Sequence, residues 1–427
     1  MRRNMAGGLA LWLVVTSVGR AQPAPAFPEA PADNGVASGV TLGRPVPLSA
    51  VPTADSGSRI VDERVARSSF QSPEPLSPIT TTVAQSPPQG GIVPVQAPVA
   101  PVPGAAEQYN CGVVTQQSPG FWQSVWEGPR RLINCIPGMG GGEFAAPGTR
   151  RWFESDHCFD NFISPVTNPF LFEDPRSLTE LRPVFIYNAT PTGNPVFRGG
   201  DIEFFGTQAR VAFTDRLSFV VTKFGATWIE PHNADADFQN HVGFSEVFLG
   251  PKFTFLRCED TCTLGAIGLT FEIPSGDRSV LQDTGSLSLV PYLSMGQSFF
   301  KTSYGSFNAL GTLGYAFRTD SQRSENFFTS LHLDYDVANL HRIYPLMELN
   351  WFHYTRNGKD RDLTFEGRDL FNFGSQHVAG HDEVALAFGA RVKATEWWTL
   401  GLAVEFPLTT QRDLLSYRIT ADMIFRY

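Results

Sequence analysis

Long apolar runs are missing from most of this chain. Past an apolar stretch near the N-terminus, no run of about 18 apolar residues occurs, which excludes a bundle of membrane-spanning helices. Basic clusters are missing too: 33 Lys and Arg face 42 Asp and Glu, for a net charge of −9. Without a basic face there is nothing to neutralise phosphates, so no nucleic-acid partner is expected. Cysteine is sparse, at five residues, and shows no paired CxxC spacing of the zinc type. No metal site and no cofactor are expected. Charged residues make up only 18% and Met numbers six, yet there are 35 Phe. A chain so aromatic and so weakly charged, with no long apolar run, is compatible with strands that hide apolar surface by alternation.

What is present starts with the signature of an exported protein. Arg2 and Arg3 precede an apolar stretch from Leu9 to Val18 and then small residues, with a cleavage point after Ala21. Residues 1–21 read as a signal peptide, and no Cys follows where a lipid anchor would need one. Cysteines of an exported chain tend to pair. Cys258 and Cys262, bracketing a short acidic loop, are expected to form a local clip, with Cys111–Cys135 as a second pair and Cys158 left over, although spacing alone does not fix connectivity.

Residues 22–107 hold half of the 32 prolines and almost no aromatics. Such composition buries too little apolar area to offset ordering entropy, so the segment reads as a disordered, Pro-rich periplasmic tether, with the cell wall as a candidate partner. Residues 108–180 differ, carrying Trp122, Trp126, Trp152 and several Phe among Gly and Pro turns. This region reads as periplasmic or plug-like, with a short amphipathic helix over 121–133 interrupted at Gly128-Pro129.

From residue 181 to 427 segments of about 9 to 14 residues alternate between apolar and polar, the length scale of a tilted membrane strand. In the last one Tyr427, Phe425, Met423, Ala421, Ile419, Tyr417 and Leu415 share one parity, and Arg426, Asp422, Thr420 and Arg418 the other. Trp398 to Phe406 and Val384 to Val392 repeat the pattern; the stretch 217–229 alternates poorly. Counting segments predicts an all-β fold, an antiparallel transmembrane β-barrel of about twelve strands. Connections alternate between short turns, such as Thr214-Asp215-Arg216 and Thr395-Glu396, and longer loops, such as 188–200 and 356–381. The short turns belong on the periplasmic side, together with both ends of the barrel.

Two stretches resemble a known family. Gly265-Ala-Ile-Gly-Leu-Thr-Phe-Glu-Ile-Pro-Ser-Gly-Asp277 is similar to a strand-and-turn of the phenol-degradation MetA-pathway outer-membrane family, and Val247–Phe255 and Phe213-Thr-Asp-Arg-Leu217 resemble its neighbouring strand and hairpin. Glu246, Phe213 and Ser275 depart from the family's usual Asp, Tyr and Thr. The resemblance covers roughly residues 200–427 and implies a channel or transporter for small compounds, hydrophobic ones included. A C-terminal strand ending in Tyr427 likewise resembles the signal read by the barrel-assembly machinery, which with outer-membrane lipid completes the expected partners.

Residues of the inward parity form the candidate lumen: Arg210, Glu246, Lys252, Glu272, Asp334, Asp336, Glu348, Glu383, Arg391, Lys393, Glu405, Arg418 and Asp422, with Gln208, His332 and Asn350 among them. They mean either a polar path that sorts solutes by charge or a salt-bridge network filling a narrow barrel. Three alternatives compete with a channel. In a lipid hydrolase, His353 and Thr355, one apart and on one face, would act together, although no orienting acid is assignable. The chain could instead be a structural anchor joining outer membrane to cell wall, or a soluble exported sandwich. A cation site at His232, Asp235, Asp237 and His241 has no recognisable metal spacing, and a solvated loop is the simpler reading.

Overall fold

The computed structural model describes residues 135–136, 151–233, 239–302 and 304–427. The signal-peptide and tether segments, the 121–133 helix, Cys111, Asp235 and Asp237 lie outside the described residues.

Strands begin where alternation begins. In order they are β1 (Glu180–Ala189), β2 (Gly200–Ala212), β3 (Leu217–Lys223), β4 (Gly225–Pro231), β5 (His241–Phe244), β6 (Val247–Cys258), β7 (Thr263–Ile273), β8 (Ser288–Thr302), β9 (Gly305–Arg318), β10 (Glu325–Val337), β11 (Ile343–Arg356), β12 (Asp382–Lys393), β13 (Trp398–Pro407) and β14 (Tyr417–Arg426). All pairings between these strands are antiparallel, and β1 pairs with both β2 and β14, with Glu180 opposite Arg210 on one side and Arg426 on the other, so the sheet closes. β3 and β4 are one barrel strand broken at Phe224, and β5 and β6 are another broken at Ser245-Glu246. The fourteen segments therefore make a closed barrel of twelve strands.

The break at Phe224 explains the poor alternation of 217–229. Thr222 and Lys223 are buried in succession while Phe224 turns outward, a phase slip of the β-bulge kind. The Phe224 carbonyl still accepts from Thr207 N at 2.8 Å, and Ser245 N donates to the Gly225 carbonyl at 2.9 Å, so the wall stays sealed across the slip.

Turn chemistry closes the short hairpins. Thr214 Oγ1 accepts from Arg216 N and Leu217 N at 3.1 and 2.8 Å, a side-chain turn that reverses the chain between β2 and β3. Only four residues separate Cys258 from Thr263 and four separate Lys393 from Trp398. The loops at the other end are longer, up to the 25 residues between Arg356 and Asp382. Both β1 and β14 have their free ends at the short-turn end.

Outward positions are apolar: Leu181, Phe185, Phe205, Phe219, Ile267, Leu313, Phe388 and Leu402 are exposed. In β14 Tyr417, Ile419, Ala421, Met423 and Phe425 take the outer face, with Arg418, Thr420 and Asp422 buried behind them. Leu415 departs from the expected parity. It precedes β14 in a loop that folds over the barrel, and it is fully buried. A closed antiparallel barrel with an apolar exterior and charges inside is the architecture of a transmembrane β-barrel.

The interior holds two pieces of main chain. Every residue from Phe162 to Leu178 is buried, with no alternation. This N-terminal insert enters and leaves at the short-turn end: Ser155 N donates to the Tyr427 carbonyl at 2.9 Å and Asp156 N to the Ser177 carbonyl at 3.0 Å. Its limbs are zipped by Arg176, whose guanidinium donates to the Phe162 carbonyl at 2.8 Å while held by Asp174. From the long-loop end the connection after β11 folds inward and buries Leu363, Phe365, Leu370, Phe371, Phe373 and Val378. These aromatics form one cluster with Phe170 and Leu171 of the N-terminal insert and with Phe204, Phe248 and Phe352 of the wall.

Candidate functional site: a lumen filled from both ends

All thirteen lumen candidates face inward. Twelve are buried, and Lys393 is half-buried near the short-turn end. The fold gathers them into groups, and nearly every group includes a residue from an insert or a loop.

At the short-turn end Glu173 of the N-terminal insert sits between two wall cations, 2.6 Å from Arg210 Nη2 and 2.8 Å from Lys252 Nζ. Its own carbonyl accepts from the Thr312 hydroxyl at 2.9 Å. Opposite, Glu348 of β11 accepts from the backbone N–H groups of Val166 and Thr167 at 2.8 and 2.6 Å. His332 backs Glu348 at 2.7 Å and reaches Asp334 at 3.0 Å, so these three wall residues form one unit. Asp422 takes Arg391 Nη1 at 2.7 Å and Arg182 Nε at 2.8 Å, and both arginines also donate to the Pro165 carbonyl. Lys393 donates to the Asp160 carbonyl, and Asp336 pairs with His341 of the adjoining turn.

At the long-loop end Arg323, from the connection between β9 and β10, bridges Glu246 and Glu272 at 3.1 and 3.0 Å. Arg368, from the inserted loop, lies 2.7 Å from Glu405 and 3.5 Å from Glu383. Asp369 beside it pairs with Arg418 at 2.7 Å. Burial pushes the carboxyls of loop residues Glu366 and Asp413 above their ordinary values. Glu366 accepts from Phe373 N and Ser375 N, and donates its own backbone N–H to Asp413.

The lumen is packed. A small internal cavity bounded by Leu171, Phe248, Arg323, Arg368 and Phe371 has room for about one water.

Sequence parity identified the wall but not what meets it. Glu173, Asp174, Arg176, Arg323, Arg368 and Asp369 lie outside the strands, where no period marks orientation. A charged run, Glu173-Asp-Pro-Arg176, inside a Phe-rich stretch was the available sign.

Disulfide pairing differs from the expectation. Cys258 is bonded to Cys135, 123 residues away, with Cα atoms 5.2 Å apart, and not to Cys262. The Cys258 side chain ends β6 on its buried face, which turns it away from its own hairpin turn, where Cys262 sits at φ 49°. Cys135 is thereby removed from the expected pairing with Cys111. Cys158 packs with Cys262 on a small cluster around Phe159 and Phe162, and burial pushes its thiol up to about 12.

The hydrolase arrangement does not assemble. His353 does find an acid, Asp382 at 2.9 Å. The Thr355 hydroxyl, however, is taken by Tyr315 at 2.6 Å and by the Glu325 carbonyl at 3.2 Å, and no hydrogen bond joins it to His353.

No family model matches the sequence, and no curated protein matches it. Solved structures share the barrel. The COG4313 outer membrane channel from Pseudomonas putida F1 aligns over 62% of this chain and 100% of its own, at 10% identity and a TM-score of 0.43. The transport unit of the autotransporter AIDA-I from Escherichia coli covers 61% of this chain and 94% of its own, at 11% identity and a TM-score of 0.36. The translocator domain of autotransporter NalP from Neisseria meningitidis covers 58% and 88%, at 12% identity and a TM-score of 0.28. At this level the likeness carries no argument about substrate or mechanism. Fold and site together define a transmembrane β-barrel. Within that class this chain has its lumen closed from both ends by its own main chain.

Proposed function

We propose that this protein is an outer-membrane channel or transporter for small compounds, shut in the described state by residues 155–178 from the periplasmic side and 357–381 from the outside. One observation carries the reading. Both inserts and the β9–β10 connection carry charges that pair with inward charges of the wall, Glu173 with Arg210 and Lys252, Arg368 with Glu383 and Glu405, Arg323 with Glu246 and Glu272. Here a polar wall lies beneath two removable pieces of chain, each of which enters and leaves at one end. The resemblance of Val247–Asp277 to the MetA-pathway family supports small, hydrophobic compounds as cargo, and the Phe-rich tips of both inserts suit that class.

The apolar exterior and the signal-peptide pattern support assembly in the outer membrane, with the Pro-rich segment in the periplasm. The test is conductance of the refolded chain in a planar bilayer, beside a variant with residues 360–378 replaced by Gly-Ser-Gly and a Glu348→Ala variant that unlatches the N-terminal insert. Current that rises in both variants supports the channel. A barrel that stays silent in both, while folded, is the structural anchor.

A further inference from the structure

Arg368 is held in an unusual way. It stands at the tip of the inserted loop with φ 58°, in the left-handed region that disfavours a non-glycine residue. The turn Gly367–Phe371 that forces this conformation aims its side chain at the wall, where it is fully buried. There the guanidinium lies over the ring of Phe352, 5.1 Å from its centre, and against two carboxylates of adjacent strands, Glu405 at 2.7 Å and Glu383 at 3.5 Å. Tyr354 OH accepts from Arg368 N at 3.1 Å and seats the backbone.

The fit is incomplete. Neither oxygen of Glu383 accepts a hydrogen bond, nor does Glu405 Oε2, and Arg368 Nε and Nη1 donate none. Glu405 Oε1 is shared with Asn350 at 2.9 Å. Donors and acceptors thus stay unmatched between Arg368 and the two glutamates, so the loop does not exhaust what this wall can bind. A phenyl face beside two carboxylates is the general chemistry of organic-cation recognition. When the loop lifts, Arg368 and Asp369 leave together. Arg418, 3.9 Å from Glu405 Oε2, then remains as the wall cation facing the two glutamates.

We propose that Phe352, Glu383 and Glu405 form a subsite for a small organic cation, an ammonium or guanidinium, on the lumen wall, and that Arg368 occupies it as a built-in surrogate while the barrel is shut. This rests on the reading of the lumen as a passage and names a class of solute for it. A tethered arginine competes at a high effective concentration, so the wild-type barrel masks the subsite from free ligand.

The experiment titrates the refolded full chain with methylguanidinium and with its neutral isostere N-methylurea. Arg368→Ala should bind methylguanidinium at least about ten-fold more tightly than the wild type does, and with a similar margin over N-methylurea. Glu383→Gln and Glu405→Gln in that background should each erase the preference, and Arg368→Lys should show no gain. Replacing residues 360–378 by Gly-Ser-Gly leaves all three wall residues in place and should behave as Arg368→Ala does, whether or not the point variant folds. Equal binding of the two probes, or no gain over the wild type in either unmasked form, overturns the subsite. Conductance of the same variants separates the two readings. Current without cation preference removes the subsite and keeps the channel; cation binding without current keeps the subsite and removes the channel.

Discussion

Lys223 Nζ donates to the carbonyl oxygen of Leu370 at 2.6 Å. The same ammonium lies 5.3 Å from the centre of the Phe170 ring and 3.2 Å from Glu246. One wall lysine therefore touches the tips of both inserts, and it can do so because the slip at Phe224 turns Lys223 inward beside Thr222. Lys223→Met keeps the stem packed on the rings and removes the donor and the charge. Because it strips a buried hydrogen-bonded cation, it should cost about 3 kcal/mol, read as a lower urea midpoint of unfolding, and should raise channel activity. An unchanged midpoint would show that the two closures are independent.

Glu348 holds the N-terminal insert through two backbone N–H groups. Glu348→Ala abandons both donors inside the barrel, at about 1–3 kcal/mol each, and should loosen residues 155–178. The Cys158 thiol reports on this: burial holds it at about 12, so it should alkylate slowly at pH 8 in the wild type and many-fold faster in Glu348→Ala. Equal rates would mean that Glu348 is no latch.

The Cys135–Cys258 bond ties the chain ahead of the N-terminal insert to the β6–β7 turn. Trypsin cleavage at exposed Arg151 should leave the peptide carrying Cys135 attached to the barrel until a reductant is added. In Cys135→Ser the peptide should separate without reductant. Had Cys258 paired with Cys262, it would separate without reductant in the wild type.

Docking of the outer loop should depend on pH. Glu366 and Asp413 both have folded values raised by burial above the ordinary 4.5 and 3.8. A raised carboxyl binds its proton more tightly when folded, so its stabilising contribution is complete below the ordinary value and is lost as pH rises through the folded one. Amide exchange across residues 360–378 should therefore be faster, after correction for intrinsic rates, at pH 8 than at pH 5. Glu366→Gln should flatten the difference, and a loop that exchanges faster at pH 5 would reverse the assignment.

Strand number, facing and the alternation of short turns with long loops were all legible because each rests on a local rule. A side chain two positions on lies on the same face, so the row Arg418, Thr420, Asp422 could be placed inward without knowing its neighbours. Where the rule slips, at Phe224 and at Leu415, so did the reading. The disulfide was not legible: partners 123 residues apart meet only after the barrel has closed and the insert has returned to its rim.

The sequence by itself determined that this chain is a closed barrel, because period-two alternation gives each strand a greasy side and a charged side and leaves no open edge that a membrane would tolerate. Only the tertiary structure decided that the lumen is shut, and by what. Residues 162–178 and 365–371 have no period to betray them, since a segment buried on all sides obeys no alternation. Which carboxylate meets Arg368 or Arg210 is fixed by distances across the barrel that no local pattern encodes.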